Sequence, residues 1–314
     1  MLEVIEANGL VTVQDLGRRG WQRFGVPLSG PMDAFAFQAA NSLVGNPLNT
    51  ATLEIGAGEL ELETDQDCVI AAAGAGYSLS VYIWEFQLWD SCFVRTGWRI
   101  RLKKNGFGMW AYLAVAGGFD MDLVLNSHST FLRGRLGGLA GRLLQGGDQL
   151  KIGATKLPLA DLAARTLVAD ARPAYTPSPL VDVILGPQAG RFTDESLETF
   201  LSSSYGVSTT SDRMGYRLKG TRLEQHGNVD MISEGMDVGS VQIPPDGQPI
   251  VMMADCATTG GYPKVASVIH ADLPLLAQCT PGADSVRFRE TTVEAAQDKY
   301  RTVMEKMKDG VVNL

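Results

Sequence analysis

The chain has 314 residues, 45% hydrophobic and 20% charged, with a formal net charge of −8. That acidic excess repels phosphate backbones and anionic membrane surfaces, which argues against nucleic-acid and membrane partners. No apolar run reaches the roughly 20 residues of a membrane span.

The length predicts about two domains, and 35 glycines, against a usual share of about 7%, predict many tight turns. The amino terminus, MLEVIEANGLVTVQD, has no basic stretch leading into an apolar one, so no signal peptide is expected. Cys68, Cys92, Cys256 and Cys279 form no CxxC, and His128, His226 and His270 stand at no ligand-like spacing from them. The expectation is a cytoplasmic protein with reduced thiols and no metal site.

In chain order, the first predicted element is a helix starting near Pro31. Ser29 or Gly30 is its cap, it runs through Met32 to Asn41, and Gly45-Asn46 lies past its end. Glu59 to Glu63 and Arg99 to Lys103 alternate strictly between apolar and charged residues, as strands of a sheet with one wet face do. Gly146-Gly147-Asp148 reads as a turn between short strands at 142–144 and 149–152. Residues 154–178, rich in Ala, Pro and Thr, read as a connection. They place an amino-terminal domain over 1–165 and a carboxy-terminal domain over 166–314. A second helix is predicted over 194–200. Val241 to Ile243 and Ile250 to Met252 flank Pro244-Pro245-Asp246-Gly247-Gln248-Pro249, a hairpin with a long loop. The last element is a helix introduced by the capping box Thr291-Thr292-Val293-Glu294 and ending near Lys308, before Gly310. Many short strands with glycine turns and few helices indicate a mostly β fold of barrels or sandwiches.

Several chemical motifs are absent or incomplete. Gly74-Ala75-Gly76-Tyr77-Ser78-Leu79 starts like a dinucleotide loop but has leucine at the sixth place and no helical pattern after it. No GxxxxGK[ST] phosphate loop and no GxSxG elbow occur. Met304-Glu305-Lys306-Met307-Lys308 only loosely resembles a biotin-attachment site and sits in a charged amphipathic helix.

The stretch DCATTGGYPKVASVI, Asp255 to Ile269, carries more weight. Gly260 and Gly261 let main-chain N–H groups approach a ligand, and Thr258 and Thr259 add hydroxyls. Tyr262 adds a ring with a polar tip, Pro263 stiffens the turn and Lys264 supplies a cation. This inventory suits a small carboxylate or amide; the alternative is a plain connecting loop. Three further stretches share the character. Gln14, Asp15 and Arg18 bring an amide, a carboxylate and a guanidinium within five residues, or Asp15 and Arg18 simply pair. Ser211, Arg213 and Tyr216 lie in SDRMGYRL, which also reads as a half-exposed strand. Glu234 and Gln242 face a cleft or, for Glu234, solvent. Cys256 reads as a small buried residue, since no histidine or lysine partner stands nearby in sequence.

VQDLGRRGWQRFGVPLSGPMD, ANSLVGN, LEIGAG, YLAVAGGF, SDRMGYRLKG, ISEG, GSVQIPPDGQPIVMMAD and TTGGYPKVASVI occur in order from residue 4 to about residue 289. Together they resemble the allophanate hydrolase subunit 2 family, also called the KipA-like or biotin-dependent carboxyltransferase family. The resemblance implies two cyclophilin-like β-barrel domains. It is nearest to the branch serving as the C subunit of ATP-dependent 5-oxoprolinase, which opens 5-oxoproline to glutamate. That branch works with a KipI-like B subunit plus a LamB/YcsF-like A subunit, on which most of the ATP site is expected. Other branches are the carboxyltransferase part of urea carboxylase, which uses biotin, and a sporulation regulator that binds a KipI-like kinase inhibitor. In the 5-oxoprolinase reading Asp15, Arg18, Arg213 and Glu234 are the catalytic candidates, the arginines polarising substrate and the carboxylates orienting it or acting as base. Gln14, Ser211, Tyr216, Gln242, Thr258, Thr259, Gly260, Gly261, Tyr262 and Lys264 are the substrate-binding candidates. One departure stands out: the family loop usually reads QTTGGYP, and Ala257 replaces that glutamine here.

Overall fold

A computed structural model describes residues 1–227 and 231–314. The chain forms two compact units. The first takes Met1–Arg18, Ser29–Pro173 and Met304–Leu314; the second takes Arg19–Leu28 and Ala174–Val303.

The first unit is built on a nine-stranded sheet. Its strands are β1 (Leu2–Gln14), β2 (Thr52–Thr64), β3 (Cys68–Gly74), β4 (Tyr77–Val81), β5 (Trp84–Phe86), β6 (Ser91–Val94), β7 (Arg99–Lys104), β8 (Trp110–Val115) and β9 (Gln149–Leu150). The path runs β5-β4-β7-β2-β8-β3-β6, with β1 against both β2 and β9. The alternating stretches are cross-strand neighbours: Glu59, Glu61 and Glu63 oppose Lys103, Arg101 and Arg99. Leu60 and Leu62 face Leu102 and Ile100 inside the core. Opposite charges thus sit on one face and packed aliphatics on the other, each pairing favouring the same register. The β1–β2 ladder slips between Asn8 and Leu10. There a Cβ on Gly58 would lie 1.7 Å from the Asn8 carbonyl oxygen, so the close approach requires glycine.

The first helix, α1 (Ala34–Leu43), starts later than its sequence suggests. Asp33 is the N-cap, its carboxylate accepting from the Ala36 N–H at 2.9 Å. Ser29 and Gly30 instead have φ of 57° and 97°, left-handed values outside the helix. The expected strand at 142–144 does not form: the Leu144 N–H donates to the Val11 carbonyl of β1 at 2.9 Å, and of the two expected strands β9 alone makes a ladder with β1. The 154–178 connection contains α2 (Leu159–Leu162) and β10 (Arg165–Leu167).

The second unit contains β11 (Leu180–Leu185), β12 (Ser204–Val207), β13 (Gly215–Lys219), β14 (Glu234–Gly235), β15 (Ser240–Gln242), β16 (Ile250–Met252), β17 (Thr259–Gly260), β18 (Lys264–Val268) and β19 (Ser285–Glu290). Seven of them close a barrel in the order β11-β18-β15-β16-β13-β12-β19. A parallel pair, β11 with β19, completes the ring, and β15 and β16 form the expected hairpin. The remaining two, β14 and β17, make a separate antiparallel ribbon. Val183, Val241, Val251 and Val265 are buried in this unit, and Phe200 stacks on Phe288 at 4.6 Å.

Helix α3 (Asp194–Ser202) occupies the predicted place, capped by Thr193. After it come α4 (Leu273–Ala277) and α5 (Val293–Asp309). Thr292, not Thr291, caps α5, its hydroxyl accepting from Ala295 N–H at 3.2 Å. Lys299 of α5 bridges Asp182 and Asp272. The chain ends in β20 (Val311–Asn313), antiparallel to β10. The fold is mostly β, with two closed or nearly closed barrel sheets, as expected. No helix among the described residues is long and apolar enough to cross a membrane.

Candidate functional site

In the second unit the glycine-rich loop leaves β16 and is fastened at once. The Asp255 N–H donates to the Arg213 carbonyl at 2.8 Å. Arg213 returns two bonds, Nε and Nη2 donating to the Asp255 carboxylate at 2.8 and 3.1 Å. Both side chains are 6% exposed, so the guanidinium charge is neutralised where it is desolvated. Cys256 follows; burial pushes its thiol up to about 12, so it stays protonated and unreactive at neutral pH. Ala257 is exposed, so its methyl fills no core space.

The loop then runs as β17 against β14, Gly260 opposite Glu234 and Thr259 opposite Gly235. The Met236 N–H donates to the Thr258 carbonyl at 3.0 Å. A Cβ on Gly260 would lie 2.6 Å from Gln242 Nε2, which donates to the Tyr262 carbonyl at 3.0 Å. The Tyr262 side chain stands in solvent. Lys264 opens β18 and turns back over the ribbon: its Nζ lies 3.2 Å from both the Gly235 carbonyl oxygen and Glu234 Oε2. The Lys264 side chain is 16% exposed and that of Glu234 is 44% exposed. An ammonium carries three donors, and among the described residues these two acceptors use two of them. Glu234, Gln242, Thr258, Thr259, Gly260, Tyr262 and Lys264 are therefore held together around one ribbon, with Gly261 in the same turn.

One residue here was missed by sequence reasoning. Gln188, just after β11, donates from Nε2 to Glu234 Oε2 at 3.1 Å and accepts the Lys264 N–H on Oε1 at 3.2 Å. Its only sequence signal is a Gly-Pro turn, Gly186-Pro187, closing an apolar strand. Two predicted binding residues have other placements. Ser211 holds its own turn, its hydroxyl accepting from the Arg217 N–H at 3.0 Å. Tyr216 is a core residue, 1% exposed, with its hydroxyl donating to the Ala277 carbonyl at 2.8 Å. A period-two strand puts Tyr216 and Leu218 inward, which corrects the expectation of a substrate contact.

In the first unit, Gln14, Asp15 and Arg18 form a buried polar cluster. Asp15 accepts from Ser127 Oγ (2.6 Å), Ser129 Oγ (2.7 Å), His128 N–H (2.7 Å) and Gly17 N–H (2.9 Å). Burial alone would raise its pKa, but these four donors outweigh burial and hold the carboxyl below its usual value. Arg18 is fully buried; Nη1 donates to Ser29 Oγ at 3.2 Å and Nη2 to the Ser129 carbonyl. Gln14 Nε2 donates to Thr12 Oγ1 and the Thr130 carbonyl at 3.0 and 3.1 Å. Most of the partners come from Ser127-His128-Ser129-Thr130, a hydroxyl-rich run whose composition was the available clue.

A second buried network in this unit also escaped the sequence. Glu54 Oε2 accepts from the Tyr112 hydroxyl at 2.7 Å and the Met32 N–H at 2.8 Å, and the Tyr112 hydroxyl accepts from the Asp33 N–H at 2.8 Å. Complete burial, then the nearby carboxylates of Glu54 and Asp33, drive the Tyr112 phenol well above its ordinary range.

The two clusters differ in chemical capacity. In the buried one the Asp15 carboxylate is saturated by the protein, and Gln14 is bonded through Nε2 while its buried Oε1 has no hydrogen-bond partner among the described residues. Among the described residues the ribbon offers an ammonium with one donor not taken, an exposed carboxylate and two adjacent glycines in its turn, which suits binding of a small oxygen-rich molecule.

Known proteins bear on this arrangement. The chain is similar to the 5-oxoprolinase C subunit of Haemophilus influenzae, 37% identical over 94% of this chain and 93% of that protein. To the 5-oxoprolinase C subunit of Escherichia coli it is 39% identical over 96% of each. Among solved structures, the Kluyveromyces lactis urea amidolyase superposes with a TM-score of 0.91 at 28% identity, over 98% of this chain. The chain spans only 20% of that much longer protein. A family model described as the carboxyltransferase domain, subdomain A and B, matches residues 24–290. The order of the motifs, the strand-rich fold and these matches agree: the chain belongs to the carboxyltransferase domain family, subdomains A and B.

Proposed function

We propose that the chain is the C-type subunit of an ATP-dependent 5-oxoprolinase, active in a complex that hydrolyses the lactam of 5-oxoproline to glutamate. The observation that carries this reading is end-to-end similarity at 37% and 39% identity to two proteins of that name, each covered over at least 93% of its length. The proposed partners in a hetero-oligomer are a KipI-like B subunit with a LamB/YcsF-like A subunit.

In this reading Lys264 and the Thr258–Gly261 turn bind the substrate's carboxylate or lactam oxygen. The ammonium and the main-chain donors oppose charge that develops on oxygen as the amide is attacked. Glu234, beside that ammonium and open to solvent, is the candidate to orient or deprotonate water. Arg213 and Asp15 act by holding the two loops rather than by touching substrate. The turn does not fit a triphosphate: it carries one ammonium, already shared with Glu234, and the sequence has no phosphate loop. ATP is therefore assigned to the partner subunits.

A second reading has its own support in the TM-score of 0.91 against a urea amidolyase. There the chain is the carboxyltransferase component of a biotin-dependent urea or amide carboxylase, and Lys264 with the same turn faces the ureido oxygen of biotin. The test is 5-oxoproline-dependent ATP hydrolysis with glutamate as product, using the chain co-expressed with both partners and each subunit omitted in turn. Glutamate formed only with all three establishes the first reading. No turnover by a soluble assembled complex, together with carboxyl transfer from carboxybiotin to urea, replaces it with the second.

A further inference from the structure

Gln188 is the one side chain bonded both to Glu234 and to the main chain of Lys264 among the described residues. Its turn is pressed against β18: the Gly186 N–H donates to the Val265 carbonyl at 2.8 Å, and a Cβ on Gly186 would lie 2.4 Å from the Lys264 carbonyl oxygen. Only glycine allows that approach, and it delivers the half-buried Gln188 to the ribbon.

The two bonds require an amide. A backbone N–H can only donate and a carboxylate can only accept, so Oε1 must face Lys264 and Nε2 must face Glu234. Asparagine is one methylene too short to span both. Glutamate matches the length but presents a second anion to Glu234 in place of a donor.

From this geometry we infer that Gln188 is a positioning residue of the site: it fixes the Glu234 carboxylate against the Lys264 ammonium and sets how much of that ammonium is left for a ligand. Glu234 Oε2 receives both the Gln188 amide and the Lys264 ammonium. Glu234 is also the ribbon partner of Gly260, so the same amide ties the glycine-rich turn to the start of β18. Without it, an exposed carboxylate on a two-residue strand is free to rotate, and the ammonium keeps only the Gly235 carbonyl as a fixed partner.

The inference rests on the ribbon being the functional site, and its test separates the two. The first readout needs no turnover: reductive methylation of the Lys264 amine in the full chain, followed by peptide mass spectrometry. Gln188→Ala is expected to speed it by about 3- to 10-fold, because Glu234 no longer holds the ammonium. Gln188→Glu is expected to slow it, because a second carboxylate stands beside it. Hydrogen exchange at the Lys264 N–H should quicken in Q188A and stay protected in Q188E, which keeps the acceptor and shows that the strand is intact.

The second readout is activity of the assembled complex. Q188A is expected to lower kcat by about 10-fold or more with KM changed less than about threefold. Q188E is expected to be equally poor at pH 8 and to recover towards wild type near pH 5.5. Among the described residues the charged groups bonded around position 188 are Glu234 and Lys264, and a proton shared between the two carboxylates restores a donor there. A residue that merely packs would give no such pH-dependent rescue. Unchanged Lys264 methylation in both variants, or a Q188E complex as active as wild type at pH 8, would overturn the assignment. A wild-type complex without 5-oxoproline turnover would sink the proposed reaction alone, leaving the methylation result to decide the role of Gln188.

Discussion

The Asp15 loop of the first unit and the Glu234–Lys264 ribbon of the second use similar residues to opposite ends. Asp15 is 3% exposed and takes four donors, each from the protein. Among the described residues the exposed Glu234 takes two, and its ammonium partner has one donor not taken. A buried carboxylate must be saturated, because each missing hydrogen bond carries an uncompensated desolvation cost. A half-exposed one tolerates incomplete pairing because water completes it. Polar residue types alone therefore do not mark a site; unspent hydrogen-bonding capacity at the surface does.

That contrast breaks first at the Arg213–Asp255 pair, which belongs with the saturated class although it fastens the functional loop. Arg213→Ala leaves a buried carboxylate alone and is expected to destabilise the chain by about 3–5 kcal/mol in urea unfolding. A loss of turnover with unchanged stability would instead make Arg213 a ligand contact. Asp15→Ala strands four donors and is expected to cost about 3 kcal/mol. Asp15 also has a pH signature. Its folded pKa is depressed, so its contribution is fully present above the unfolded value of about 4 and is lost as pH falls through the folded value. Asp15→Asn should flatten that part of the acid limb in unfolding curves taken from pH 5 to 2.

The ribbon should respond the other way. Lys264→Met is expected to shift stability by less than about 1 kcal/mol, since the ammonium is only partly desolvated, while lowering kcat/KM of the complex by about 100-fold. A large stability loss without a specific kinetic one would erase the distinction between the clusters. Thr292→Ala calibrates the scale. It removes the α5 cap and touches neither cluster, and about 1 kcal/mol of stability should be lost with activity unchanged.

The glycine-rich loop between β16 and β18, the 59–63 and 99–103 strands and the helices near 194 and 293 were all legible in the sequence. Each is set by neighbours along the chain: alternation decides which face is apolar, Asp-Gly and Gly-Gly decide where the chain turns, and hydroxyl caps decide where helices begin. Such signals act over a few residues, and they fail where a distant partner decides. Ser29 and Gly30 looked like caps for α1, but their left-handed backbone leaves Asp33 to do it. Residues 142–144 looked like a strand, but the Leu144 N–H alone reaches β1, at the Val11 carbonyl, and the chain then turns at Gly146-Gly147.

Composition, periodicity and turn chemistry by themselves determined a mostly β protein with glycine-built loops, and the motif order placed it in its family. Only the tertiary structure decided which polar residues are spent and which remain available. Asp255 stands 42 residues from Arg213, Ser129 stands 114 from Asp15 and Lys264 stands 76 from Gln188. Hydrogen bonds over such separations depend on how strands align across a barrel, and local propensity carries no record of that alignment.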